Sequence, residues 1–292
     1  MTKGVLMFAH NNSEIDYFRM AYVNAKLIQH HLGVPVTVVT DEHSYNHLAD
    51  TISNKDMKFA FNNVVFKDKD ITFKKSNTKV FRDTVHKQKS LSFYNLNRAD
   101  AYDITPYDET ILLDADYLIL GDTLNKCWNS KNPLMMNYEW QDINFNRKFE
   151  LDRLNPASIV MYWATVVYFK KDDVSENFFT LCKHVRNNYQ YYRNLYKWVG
   201  STMRNDYVFS IAGHLLTGMQ DRGISQLPFK LYKSFDFDDI DCVLDNNAVR
   251  LFLEKHDCHA EYILAEWKDL DLHIMNKWAI NRVSDDFLRV LT

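Results

Sequence analysis

The chain has 292 residues, 46% of them hydrophobic and 14% aromatic, with a formal charge of −3. That is apolar material for one large core or two modest ones. The near balance of charge excludes wholesale attraction to nucleic acid or to an acidic membrane surface, though it can conceal a local patch. Four cysteines, Cys127, Cys182, Cys242 and Cys258, have neither CxxC nor metal-knuckle spacing, so free thiols are expected.

The amino terminus, MTKGVLMFAH, carries an apolar run of about five residues, shorter than the roughly 7 to 15 of a secretory signal. No run approaches the roughly 18 to 20 apolar residues of a membrane span, and a cytoplasmic protein is expected. GVLMFAH (4–10) reads as a buried strand. An amphipathic helix over 13–33 follows, with Ser13 as N-cap and Gly33 just past its end, and PVTVVTD (35–41) is the next strand. Such a unit favours a parallel sheet whose ligands sit at the carboxyl ends of the strands. A lysine-rich stretch (67–89) overlaps HKQKSLSFYNLNRADAYDI (86–104), which reads as a helix ended by Pro106. TILLDADYLIL (110–120) is a strand running into two aspartates. Strands are then expected over 133–140 and 159–171, and helices over 176–196 and 205–218. No linker or repeat divides the chain, so the expectation is one α/β domain over 1–292, with 1–122 and 123–292 as its two halves.

Only seven glycines occur, and neither GxGxxG nor GxxxxGK[ST] is present. Any phosphorylated ligand must therefore be held by a metal or by basic side chains. Asp-x-Asp occurs also at 68/70, 236/238, 239/241 and 269/271, but only Asp114 and Asp116 stand between two β-type apolar runs. Residues i and i+2 of an extended chain point the same way, so both carboxylates can meet one hard cation, Mg²⁺ or Mn²⁺, which often takes its remaining ligands from substrate phosphates. A solvated turn, or one Asp capping a helix, would explain the pair without a metal.

TPYDETILLDADYLIL, preceded by strands ending in Ala-His and Thr-Asp, resembles the GT-A glycosyltransferases, most of all the glycogenin-like retaining group and its bacterial and phage-encoded relatives. The resemblance implies a Rossmann-like, mixed and mostly parallel sheet flanked by helices, with Asp114-Ala115-Asp116 holding Mn²⁺ or Mg²⁺ and, through it, the diphosphate of a nucleotide sugar. It also implies that DLHIMNKWAI (271–280) supplies His273 as a third metal ligand and Lys277 as a diphosphate contact, in a tail that closes over the donor. The His-to-Lys spacing is shorter than the family's HxxGxxKPW, and its glycine and proline are missing. Independently, neutral imidazole suits such an ion and a lysine suits phosphate.

The same resemblance makes Ala9, His10 and Asn11 candidates at the nucleobase and Asp41 a candidate at the base or ribose, with Arg98 at the donor. Ala164 and Thr165 stand where the family carries a small-residue turn near the sugar. Asp206 stands where an acid often faces sugar or acceptor, although helix capping alone would account for it. The expected activity is transfer of a sugar, from UDP-sugar above all, to a hydroxyl acceptor. Two other readings remain: a metal-dependent nucleotidyltransferase or phosphohydrolase, and a non-catalytic carbohydrate- or nucleic-acid-binding relative. From Lys67 to Arg98, nine Lys/Arg face three Asp. That basic stretch makes DNA a conceivable acceptor, a solvated loop being the plainer reading.

Overall fold

Strands that are buried on both faces have no polar alternation, and three such runs build the centre of this molecule. In a computed structural model, which describes residues 1–69, 77–144, 152–198, 202–255 and 261–291, the chain begins with β1 (Lys3–Phe8), α1 (Tyr17–Leu32), β2 (Val36–Thr40), α2 (Glu42–Ala49), α3 (Asn54–Ala60) and β3 (Asn63–Phe66). Next come β4 (Thr78–Thr84), β5 (Lys87–Ser92), a 3-10 turn (Leu96–Asp100), α4 (Ala101–Ile104), β6 (Glu109–Leu113) and β7 (Tyr117–Leu118). A second 3-10 turn (Thr123–Asn129) leads to β8 (Leu134–Met136), β9 (Trp140–Asp142), β10 (Val166–Lys170), α5 (Asp173–Asn187), α6 (Tyr189–Tyr196) and α7 (Asn205–Leu216). The last elements are β11 (Leu231–Lys233), β12 (Asp239–Asp245), β13 (Ala248–Glu254), β14 (Tyr262–Lys268), β15 (Leu272–His273) and α8 (Lys277–Val290).

The main sheet has the order β3-β2-β1-β6-β10-β8. Strands β3, β2, β1 and β6 are parallel, and β10 runs antiparallel to both β6 and β8. This is the mixed, mostly parallel α/β architecture that the sequence leads one to expect. The chain leaves β1 first toward β2 and later returns on its other side as β6. The order therefore reverses at β1, and a crevice opens beyond the carboxyl ends of β1 and β6.

A small sheet, β7-β15-β11-β9, closes that crevice from the far end of the chain. Strand β15 pairs antiparallel with β7, His273 opposite Tyr117, and parallel with β11, His273 opposite Lys233. Helix α8 then packs on α1 and β12. Leu272, His273 and Ile274 are all buried. Leu272 and His273, in the tail expected to close over the donor, thus pair into this sheet with buried side chains. Gly121 permits this approach: a Cβ there would lie 2.5 Å from the backbone oxygen of Asp269. Asp271 adds a clamp, accepting from the amides of Leu120 (2.9 Å) and Gly121 (3.1 Å).

Several local expectations change. Helix α1 starts at Asp16, whose carboxylate accepts from Arg19 N at 2.9 Å, while Gly33 ends it at φ 65° as foreseen. Ser13 lies in the preceding turn, where Asn12 accepts from the Glu14 and Ile15 amides. The helix read over 86–104 is replaced by β5 paired antiparallel with β4, then the 3-10 turn and α4. Leu91 and Phe93 are buried two apart, a strand spacing. The run 159–171 is a strand only from Val166, and 176–196 divides into α5 and α6. Cys127 and Cys182 are buried free thiols and Cys242 is a half-buried one; Cys258 lies outside the described residues. Among the described residues, no helix is long and apolar enough to cross a membrane.

Candidate active site

Strand β6 ends at Leu113, and the next three residues turn the chain at the crevice. Asp114 N donates to Thr165 O at 2.9 Å, Tyr117 N closes onto Asp114 O at 3.2 Å, and Ile274 N donates to Asp116 O at 3.0 Å. The Asp-Ala-Asp turn is therefore held by backbone bonds from two distant segments, which fixes the directions of its carboxylates.

Each carboxylate meets one cation. Arg98, a fully buried guanidinium, bonds to Asp114 Oδ1 through Nη1, while its Nε and Nη2 have no hydrogen-bond partner among the described residues. Lys277 Nζ stands 2.5 Å from Asp116 Oδ2 and also donates to Ile274 O. His273 Nε2 lies 3.3 Å from Asp116 Oδ1, and its Nδ1 is 3.5 Å from Thr165 Oγ1. Burial works against the charged form of Asp116, but the Lys277 ammonium first, and the His273 ring beside it, outweigh that and hold the carboxyl well below its usual range. Burial, together with the neighbouring Asp116 and Asp206 charges, pushes Asp114 up against the pull of Arg98. Burial also lowers His273, which favours the neutral, ligating imidazole.

One ligand atom each from Asp114, Asp116 and His273 all lie within 4.8 Å of one another. Two carboxylates and an imidazole form a donor set suited to Mn²⁺ or Mg²⁺. Asp116 Oδ1 is buried and, beyond the His273 ring at 3.3 Å, has no hydrogen-bond donor among the described residues, so a cation would satisfy it. These residues fit the metal that the sequence implies.

The site opens into a cleft. His10, Arg98, Asp114, Ala115 and Asp116 line it, as do Ala164, Thr165, Asp206, His273 and Lys277. Ala9, Asn11 and Asp41 do not. Ala9 O accepts from Thr40 Oγ1 (2.6 Å), and Asn11 Oδ1 accepts from Phe18 N (2.9 Å). Asp41 N-caps α2 through Ser44 N and pairs with Lys69 at 3.5 Å. Asp206 is not the N-cap of α7. Arg204 holds that position, and Asp206, in the first turn, accepts from Ala164 N (3.0 Å) and pairs with Arg204 (2.7 Å). It thus fixes the small-residue turn beside the cleft.

Sequence reasoning missed Tyr17, Lys79, Trp163 and Arg204, and an aromatic wall of Phe8, Phe93 and Tyr94, all lining the cleft. No local motif marks them, since they come from separate elements that only the fold unites. The basic stretch is also resolved into pairs. Lys67 meets Asp100, Lys69 meets Asp41, Arg82 meets Asp236, Lys87 meets Asp83, Lys89 meets Glu14 and Arg98 meets Asp114. Lys74 and Lys75 lie outside the described residues.

No protein-family model matches the chain, and no curated protein matches it either. Among solved structures it is similar to the galactosyltransferase LgtC in complex with donor and acceptor sugar analogs, with 16% identity over 79% of this chain and 73% of that one and a TM-score of 0.45. It is similar to mouse xyloside xylosyltransferase 1 in its apo form, with 13% identity over 78% of this chain and 85% of that one, TM-score 0.45. It is also similar to the glycosyltransferase GlyE of Streptococcus pneumoniae TIGR4, with 11% identity over 78% of this chain and 46% of that one, TM-score 0.43.

Proposed function

We propose that the protein is a metal-dependent glycosyltransferase of the GT-A type, moving a sugar from a nucleotide-diphosphate donor, UDP-sugar first among them, to a hydroxyl acceptor with retention of configuration. The observation that carries this reading is the convergence of Asp114, Asp116 and His273 beside a buried lysine, at the crevice where the strand order reverses. In this reading residues 1–122 supply most of the nucleotide half, and 123–292 the acceptor half with His273 and Lys277.

Asp114, Asp116 and His273 would hold the divalent ion, which supplies Lewis-acid neutralisation of the leaving diphosphate. Lys277 places a fixed positive charge at the same edge, where negative charge grows as the bond from the anomeric carbon to the phosphate oxygen breaks. Phe8, Phe93 and Tyr94 offer apolar surface to a base, with His10 beside them. Asp206 holds the Ala164 turn that faces the sugar. The acceptor oxygen forms the new bond to the anomeric carbon on the face the diphosphate leaves, and its proton passes to a donor phosphate oxygen. A DNA acceptor draws little support from the basic stretch, since six of its nine cations are already paired with carboxylates.

The test is incubation with a panel of nucleotide sugars and Mn²⁺. Release of free nucleoside diphosphate supports the transferase, whereas release of sugar 1-phosphate would point to nucleotidyl transfer instead.

A further inference from the structure

Among the described residues, the charged side chains of the cleft pair off with one exception. Arg98 meets Asp114, Lys277 meets Asp116 at 2.5 Å and Arg204 meets Asp206 at 2.7 Å. Lys79, on β4, lines the same cleft and has no carboxylate partner among the described residues. Its ammonium stands 4.5 Å from the centre of the Phe81 ring. Asp236, whose charge it feels, is engaged by Arg82 at 3.2 Å. Burial and the Lys277 and Arg204 charges push the Lys79 ammonium down to about 8, as expected of a cation that lacks an anion.

A divalent ion on Asp114, Asp116 and His273 balances the two negative charges of a donor diphosphate. Lys79 then remains as one positive charge that the bound donor does not match, beside two further cations, and an incoming anion would relieve that cost. Arg204, half-exposed at the start of α7, lines the same cleft and its charge acts on Lys79, so it can share such an anion.

Resting on the glycosyl-transfer reading, we propose that the substrate carries one more anionic group, a carboxylate or a phosphate, seated between Lys79 and Arg204. Its source is either a carboxylate on the transferred sugar or a phosphate on the acceptor.

Calorimetric titration distinguishes the sources. UDP, UDP-glucose and UDP-glucuronate are titrated in the presence of Mn²⁺ into the wild type and Lys79→Met, and inorganic phosphate is titrated into the Mn²⁺–UDP complex of each. The wild type is expected either to prefer UDP-glucuronate to UDP-glucose by about tenfold, identifying the sugar, or to bind phosphate beside UDP about tenfold more tightly than the variant, identifying the acceptor. Lys79→Met keeps the aliphatic stem, should melt at the wild-type temperature, and should keep its UDP affinity within about twofold. If neither difference is found, or if Lys79→Met weakens UDP itself about tenfold, Lys79 is at most a diphosphate contact and the proposal fails. UDP that does not bind the wild type with Mn²⁺ removes the donor-site reading and this proposal with it.

Discussion

Asp83 on strand β4 accepts hydrogen bonds from Asn276, 193 residues away, at 3.0 Å, and from both terminal nitrogens of Arg282, 199 residues away, at 3.0 and 2.9 Å. Asn276 is the N-cap of α8, and the first residue of that helix is Lys277. The hairpin therefore anchors the segment that carries Lys277, the partner of Asp116. Phe81 and Lys87 add to the grip by packing on the Trp278 ring.

Asp83→Ala should cost about 2 kcal/mol of stability, since it removes several charge-assisted bonds from a nearly buried carboxylate. Urea denaturation at pH 7 measures this. Burial raises the Asp83 carboxyl, but Arg282, Asn276 and Lys87 outweigh it, so the folded pKa lies below the ordinary value of 3.8. The stabilisation is therefore present above pH 3.8 and is lost as pH falls through the lowered folded value. The gap between wild type and Asp83→Ala should shrink in melts taken below pH 3.

Asp116→Asn should abolish Mn²⁺-dependent donor turnover. It should also lower the stability of the metal-free protein by about 3 kcal/mol, because Lys277 is buried and would lose its counter-charge. A variant that turns over normally, or ignores a chelator, would contradict the metal assignment. Mn²⁺ with UDP should raise the melting temperature of the wild type and leave that of Asp116→Asn unchanged.

His273→Ala and Lys277→Met should separate binding from turnover. Removing one of three protein ligands should weaken Mn²⁺ by about tenfold or more, read by the metal concentration needed for half-maximal activity. Lys277→Met should act mainly on kcat, because a charge opposite the departing diphosphate matters most in the transition state. An equal loss for both variants in metal affinity alone would assign Lys277 to site assembly only.

Two glycines should respond differently to alanine. Gly33 has φ 65° and open space around it, so Gly33→Ala should cost about 1 kcal/mol of backbone strain. At Gly121 the new methyl would meet the Asp269 carbonyl, which is backbone and cannot swing aside. Gly121→Ala should therefore cost more, about 3 kcal/mol, and should loosen the junction of β7 with β15. Chemical denaturation of both variants gives the comparison.

The central strands and the Asp114/Asp116 turn were legible because continuous apolar runs and the acids that interrupt them are local features. The β4–β5 hairpin was not. Lys, Gln and Ser suit an exposed helix as well as an exposed strand, and only the buried pair Leu91 and Phe93 records the period of two. Asp206 suited an N-cap by its place in the sequence. Its actual partner, the Ala164 amide 42 residues earlier, leaves no trace in the residues around it. Lys79 and Arg204 escaped for the same reason: a cleft wall made from separate segments has no spacing to read. Asp271 stood only as one of several Asp-x-Asp pairs, though it clamps the turn after β7.

The small sheet that seats His273 against Tyr117 also sets when the Asp114–Asp116 turn gains its partners during synthesis. The ribosome delivers the main-sheet strands long before residues 272–277, so a nascent or prematurely terminated chain can hold a formed Asp114–Asp116 turn with neither imidazole nor ammonium opposite it. Asp116 would then lack its Lys277 counter-charge, while Asp114 keeps the one that Arg98 supplies. The Asp114, Asp116 and His273 cluster is therefore completed only after every strand of the main sheet has been made.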